Sequence, residues 1–380
     1  MQLVLTEDQE LLAKTANDWV RDHSPVKRVR ELRDTHDRLG FSRPLWKQMA
    51  ELGWVGIPFE EAHGGAGMGF ADLAVVLEAL GRTLAPEPFL STVLLAGQAI
   101  ARGGSDAQKQ AWLPGVCAGE RILAFAQQEA KSRYELVRVA TAARADGTGW
   151  RLDGEKVQVL DAAAADALVV VARTSGAERD RDGITLFLVP TGGAGLSITP
   201  QERIDHRSAA IVRLDGVRVG ADAALGAAGA GAALLEAVVD RATIGLAAEM
   251  LGSTEQVFAD TVQYLKTRLQ FGVPIGSFQA LKHRAAKLYM EIELARSAVM
   301  AATRALDAGD ADTPKLASLA KARCSDAFVL AANEGVQMFG GVGMTDEYDV
   351  GFYMKRSRVA EMTFGDAAWH RERWARLAGY

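Results

Sequence analysis

Eight apolar residues, Leu281, Ala285, Leu288, Ile292, Ala295, Val299, Ala302 and Leu306, recur at alternating spacings of four and three. That period keeps one stripe along a helix and requires apolar partners over its whole length. The carboxy-terminal part of the chain, from about residue 229 onward, is therefore expected to be a helical bundle. Residues 1–120 also read as helices. Thr6 with Gln9 three residues later has the form of a capping box. Residues 44–52 hold a helical pattern that Gly53 is placed to stop, and residues 71–80 form an apolar helix broken near Ala85-Pro86-Glu87-Pro88.

Between these helical parts the character changes. Residues 169–173, 184–189 and 210–214 are short β-type runs, punctuated by Asp146-Gly147, Asp153-Gly154, Asp182-Gly183 and Asp215-Gly216, which read as turns. The expected fold is mainly α with a central antiparallel β domain. Its parts are an amino-terminal helical domain over 1–120, a β domain over 121–225 and a helical bundle over 226–380. Gly226, Gly229 and Gly231 read most simply as a flexible linker between the last two. A length of 380 residues agrees with two or three domains.

Composition excludes several function classes. A net charge of −5 argues against a dedicated nucleic-acid binder, whose surface is usually basic. The two cysteines, Cys117 and Cys324, are far apart, which excludes a cysteine-built metal site and suits a reducing compartment. The first ten residues lack a basic region followed by an apolar run, so no signal peptide is expected. No apolar stretch reaches the roughly 18 residues a membrane helix needs, and the Ala/Gly-rich run 221–233 is too short and glycine-rich. A soluble cytoplasmic protein without metal is the expectation.

Two segments carry candidate chemistry: Arg268-Leu269-Gln270-Phe271-Gly272 and Gln337-Met338-Phe339-Gly340-Gly341-Val342-Gly343. Each joins a polar side chain to glycine. Arginine offers a planar, permanently charged fork suited to a pyrophosphate. Glycine removes the Cβ that would hold a ligand away. Taken singly, Arg268 also reads as a charge at a helix C-terminus followed by a glycine cap, and Gly340-Gly341 as a plain turn.

Together, and in this order, the two segments resemble the acyl-CoA dehydrogenase family over essentially the whole chain, including the loop Gly53-Trp54-Val55-Gly56-Ile57-Pro58. The resemblance implies a flavoprotein that desaturates an acyl-CoA thioester. It also implies FAD lying across a subunit interface of a homotetramer, or of a heterotetramer with a related subunit, and an electron-transferring flavoprotein as acceptor. Arg268, Phe271, Gln279, Gln337, Gly340 and Gly341 would hold FAD, with Gln158 on the strand that lies against the flavin ring.

Two departures from the family pattern follow from that alignment. The usual base is the Glu of a Tyr-Glu-Gly stretch, and aligning Gly365 puts Phe364 at that position. Some members instead carry a Glu before an Arg on the first bundle helix, which here corresponds to Asp240 and Arg241. Asp240 is the preferred base and Asp366 the second candidate; the alternatives are a helix ion pair for Asp240 and a cap on the helix beginning Ala367-Ala368-Trp369 for Asp366. On the flavin strand, Gln158 and Leu160 replace the usual Trp and Thr, and Phe125-Ala126-Gln127-Gln128-Glu129 stands where Thr-Glu-Pro is common. The departures admit a rival reading, a non-catalytic subunit that completes a partner's flavin site. A third is another flavin reaction, such as an oxidase.

Overall fold

The computed structural model describes residues 4–380. In chain order the helices are α1 (Glu7–His23), α2 (Lys27–Asp34), α3 (Arg43–Glu51), α4 (Phe70–Arg82), α5 (Gln98–Gly103) and α6 (Asp106–Cys117). Eight strands follow: β1 (Leu123–Ala126), β2 (Ala142–Asp146), β3 (Gly149–Leu160), β4 (Ala167–Arg173), β5 (Ile184–Pro190), β6 (Leu196–Gln201), β7 (Ala209–Gly220) and β8 (Ala224–Leu225). The chain then returns to helix with α7 (Ala232–Thr267), a hairpin of β9 (Leu269–Gln270) and β10 (Val273–Pro274), and α8 (Gln279–Asp307). It ends with α9 (Thr313–Phe339), α10 (Val350–Met362) and α11 (Ala367–Leu377). Helices, a β region and helices again is the order expected.

Two compact units share these elements. The first contains the stretch ending at Glu31, Gly69–Ala85 and Thr243–Tyr380. Here the α8 stripe is buried from Leu288 through Ile292, Ala295, Val299 and Ala302 to Leu306, while Leu281 and Ala285 at its start are half-buried. α9 packs against α8, α10 and α11. α1 opens on the Thr6–Gln9 capping box, and Gln9 Nε2 donates to Asp72 Oδ1 of α4 at 2.9 Å. Asp307, at the end of α8, accepts from Phe70 N at 2.6 Å and Ala71 N at 2.9 Å, satisfying two of α4's open amides. α4 and α7 cross backbone to backbone at Gly81 and Gly252, where a Cβ would overlap the Glu249 and Glu78 carbonyl oxygens respectively.

The second unit, Leu32–Met68 and Pro86–Ala242, holds the sheet. Strand order is β6-β7-β3-β2-β4-β5-β8, with β1 paired to β4. All pairings are antiparallel except β1–β4 and β2–β4. β4 is buried at every position, which is why its sequence is continuously apolar from Ala167 to Ala172 rather than alternating; the buried Arg173 at its end donates to backbone carbonyls. Leu152, Leu168, Val170, Phe187 and Val212 lie in the core beneath the sheet.

Three sequence expectations are corrected in this unit. Asp146-Gly147 does turn β2 into β3, and Asp182-Gly183 leads into β5, but Asp153-Gly154 and Asp215-Gly216 end no strand. They lie inside two twelve-residue strands and face one another at a register shift between Leu152–Val217 and Gly154–Leu214. Gly216 takes φ +65° and its N–H donates to Asp153 Oδ1 at 2.8 Å, so the dipeptides build a β-bulge. The Gly226–Gly231 stretch is not a loose linker. Gly183 N donates to Gly229 O at 2.8 Å, Gly231 N to Ile184 O at 2.7 Å and Gly229 N to Thr185 Oγ1 at 2.8 Å.

Among the described residues no helix is long and apolar enough to cross a membrane, and no group of His, Cys, Asp or Glu is placed to hold a metal. Cys117 and Cys324 are free and buried.

Candidate functional site

In the first unit, α7 stops at Thr267, and Arg268 N still donates to Tyr264 O at 2.8 Å. Gln270 pairs with Val273 across a two-residue turn in which Phe271 and Gly272 have φ +54° and +77°. Two left-handed residues make a hairpin turn whose twist matches its strands. Phe271 at the tip is 91% exposed, and Arg268 and Gln279 are exposed beside the hairpin in sequence.

Near the end of α9 Gln337 is exposed, and just past Phe339 Gly340 caps the helix with φ +71° and an N–H donated to the Gln337 and Val336 carbonyls. Gly340 is thus a helix cap where its alternative reading was a plain turn, whereas Gly272, read as the cap after Arg268, lies in the hairpin turn. The α9 cap does not account for Gly341, which has no left-handed φ and nothing within 4 Å of where a Cβ would stand. Neither backbone nor packing demands glycine there, so the open space suits close approach of a ligand. Gly343 differs, because a Cβ would come within 2.7 Å of Val336 O.

The two motifs meet through an aromatic stack. Tyr264, four residues before Arg268, lies on Phe339, two residues after Gln337, with ring centroids 4.2 Å apart and planes 14° apart. Tyr348 sets its edge against both. One guanidinium, side-chain amides and an open glycine thus come from segments that the fold places together, a donor set that fits a pyrophosphate-bearing dinucleotide.

A second constellation surrounds the turn from α10 to α11. Asp366 Oδ1 accepts from Trp369 N at 2.9 Å, so Asp366 caps α11 as its alternative reading held. Phe364 is half-buried with φ +62°, an uncommon conformation for a bulky residue. Gly365 follows at φ +125°, and a Cβ on it would lie 2.5 Å from Trp369 Cε3 and 2.9 Å from His370 Nε2. Beneath the turn Lys321 is fully buried. Its Nζ donates to Gly365 O at 2.8 Å, Glu361 O at 2.9 Å and Ser325 Oγ at 3.1 Å. Burial pulls the Lys321 ammonium down to about 7. His370 Nδ1 lies 3.2 Å from Ser318 Oγ, and burial, with Lys321 and Arg373 nearby, pushes its pKa down to about 2.

Motif reading did not single out Lys321. Lys321 was within reach of helical spacing: it stands four residues after Ala317 and three before Cys324, both buried on α9.

In the second unit, Gln158 occupies another bulge, where β3 has an extra residue between Lys156–Val212 and Val159–Ala210. It takes φ +54°, is exposed, and its Nε2 donates to Gln201 Oε1 at 3.4 Å. Lys156, two residues earlier, is fully buried and donates to Glu129 Oε1 at 2.7 Å and Gln127 O at 3.3 Å. Glu129 also accepts from Ala140 N at 2.8 Å, Thr141 N at 2.9 Å and Thr141 Oγ1 at 2.7 Å. Burial alone would raise the Glu129 carboxyl, but Lys156 and these bonds hold it below the usual range; burial takes Lys156 down to about 8. This pair fixes Gln127 against β3, and Val157 N donates to Gln128 O at 2.8 Å. Asp240 stands on α7 at 7% exposure, and half-buried Arg241 turns back to the Ala237 carbonyl at 3.3 Å.

Comparison with known proteins agrees along the full length. Residues 6–120, 124–217 and 229–378 match the acyl-CoA dehydrogenase N-terminal, middle and C-terminal domains respectively. Acyl-CoA dehydrogenase FadE12 of Mycobacterium tuberculosis is 33% identical over 363 residues, covering 94% of this chain and 92% of that one. Butyryl-CoA dehydrogenase from Megasphaera elsdenii superposes with a TM-score of 0.91 at 27% identity over all of both chains. The ChsE4–ChsE5 complex of Mycobacterium tuberculosis gives 0.89 at 29% identity, again with full coverage of both. The helix–sheet–helix architecture and the three consecutive domain matches lead to one assignment: the chain belongs to the acyl-CoA dehydrogenase family, whose cofactor is FAD.

Proposed function

We propose that the chain is an FAD-dependent dehydrogenase that desaturates an acyl-CoA thioester between its α and β carbons. The observation that carries this reading is the Tyr264–Phe339 stack, which sets the arginine-bearing hairpin beside the glycine-bearing helix end. Arg268 would pair with the FAD pyrophosphate, Gln279 and Gln337 would supply amide hydrogen bonds, and Gly340 and Gly341 would admit the ligand to the backbone. Phe271 would offer its exposed ring, and Gln158 would lie on the strand against the flavin. Bound FAD supplies the hydride acceptor for the β carbon.

Asp240 removes the α-proton. At 7% exposure it is largely shielded from water, and Arg241 beside it helps orient it. Asp366 is the second candidate, already engaged as a cap. Aspartate is shorter than glutamate by one methylene, and an ångström of misplacement costs about a hundredfold in rate, so the substrate must sit correspondingly closer to α7. The assembly is a tetramer, and an electron-transferring flavoprotein takes the electrons. Free, buried cysteines support a cytoplasmic setting.

A second reading, a partner subunit without its own chemistry, is favoured by Phe364 at the usual base position and by Gln158 and Leu160 on β3. The likeness to a two-component complex from Mycobacterium tuberculosis supports it too. Anaerobic titration of the purified chain with a panel of acyl-CoAs separates the two. The dehydrogenase reading expects a yellow protein whose flavin bleaches, and an Asp240→Asn variant slowed by about a hundredfold or more. Unchanged bleaching in the variant removes Asp240 as base. A colourless chain that takes up FAD only when co-expressed with a related subunit establishes the second reading.

A further inference from the structure

We propose that Lys321 is a positioning residue: it ties down the backbone on both sides of Phe364 and so sets where the side chain at 364 stands. The consequence for turnover rests on the function proposed above; the clamp itself does not.

The geometry gives each ammonium proton an acceptor. Glu361 O lies in the last turn of α10, Gly365 O lies just past Phe364, and Ser325 Oγ is one turn along α9 from Lys321 itself. All three partners are uncharged. Burying an ammonium among neutral groups is costly, and an apolar residue on this Ala-rich face of α9 would avoid that cost. What an apolar residue could not do is bridge two carbonyls that bracket residues 362–364.

Those residues need bracing. Phe364 is held at φ +62°, a conformation that persists in a bulky residue only where the surroundings over-determine it, while Gly365 takes φ +125°, open to it as a glycine. From the opposite side, His370 Nε2 and Trp369 leave no room for a Cβ on residue 365. The Asp366 cap fixes the exit into α11. Lys321 supplies the remaining restraint. Its partner set suits both protonation states, because a neutral amine still donates to two carbonyls and accepts from the Ser325 hydroxyl. The clamp therefore survives deprotonation.

The test is hydrogen exchange by mass spectrometry on the FAD-loaded full chain, comparing wild type with Lys321→Met and with Ser325→Ala, alongside acyl-CoA-dependent flavin bleaching. For Lys321→Met, amides in peptides covering 359–370 are expected to exchange at least tenfold faster, with α8 and α1 peptides unchanged. Bleaching is expected to fall at least tenfold in kcat, with KM and FAD content within twofold. Ser325→Ala, which spares both carbonyl bonds, is expected to stay near wild type. Unchanged exchange at 359–370 overturns the proposal. So does faster exchange spread over the whole bundle with loss of FAD, which would make Lys321 a core residue only. Should Lys321→Met not fold, Lys321→Gln, which keeps two N–H donors, is judged by the same local-versus-global criterion. If wild type itself does not bleach, the dehydrogenase reading fails while the exchange result still decides the clamp.

Discussion

His370 links protonation to stability. It is 1% exposed, its Nδ1 faces Ser318 Oγ, and burial together with the Lys321 and Arg373 charges keeps it neutral. The folded pKa of about 2 lies below the ordinary 6.5, so below pH 6.5 the unfolded chain binds the proton that the native one refuses. Stability therefore falls as pH drops below 6.5, by about 2 kcal/mol at pH 5 from this one group. Lys321 has the same sign in another window: its native value near 7 against 10.5 makes stability rise from pH 7 toward 10.5. The check is the melting temperature at pH 7 and pH 5 for wild type and His370→Asn. The variant is expected to lose less than wild type on acidification, and equal losses would reject the assignment. At this scale the sequence was legible where a rule is local. The Thr6–Gln9 box and the Asp366 cap depend on residues three apart. The Lys321 partners Glu361 and Gly365 lie 40 and 44 positions away, and only the packed bundle brings them into range.

Elements meet where small residues allow it. Gly252 of α7 faces the Glu78 carbonyl of α4, Gly81 faces that of Glu249, and Ser253 Oγ donates to Gly81 O at 2.8 Å. A methyl at 252 has only backbone to push against, so Gly252→Ala is expected to destabilise by about 3 kcal/mol, the upper part of the usual overpacking range. Gly341→Ala is the contrast: nothing in the chain lies within 4 Å of its Cβ position. Its melting temperature should match wild type while FAD retention falls; equal thermal losses in the two variants would refute the distinction. The α8 stripe was readable because its period is fixed by one partner face, and six of its eight residues are buried. The Asp-Gly pairs were only half readable. Asp146-Gly147 and Asp215-Gly216 have the same local chemistry, yet one closes a hairpin and the other a bulge, and the choice belongs to the partner strand.

The molecule as a whole carries apolar side chains that its own packing leaves outside. Leu269, Phe271 and Phe278 around the hairpin, and Tyr289, Met290 and Leu294 on α8, are all exposed. Exposed apolar residues in such number along neighbouring sequence are what a subunit contact needs, and a lone chain would be prone to associate through them. Sequence period places Met290 and Leu294 off the inward stripe but does not tell whether another helix covers that face; the fold leaves both exposed. Phe271 is the informative probe. At 91% exposure it contributes little to the fold of its own chain, so Phe271→Asp should leave helicity and the Gly252-dependent melting behaviour intact. In the proposed tetramer the same substitution places a carboxylate where an apolar ring meets the neighbouring subunit and its FAD. Light scattering after size exclusion is expected to show a smaller species, with bound FAD reduced in proportion. A Phe271→Asp protein that keeps both its assembly and its flavin would place the subunit contact on some other face and detach the hairpin from the cofactor.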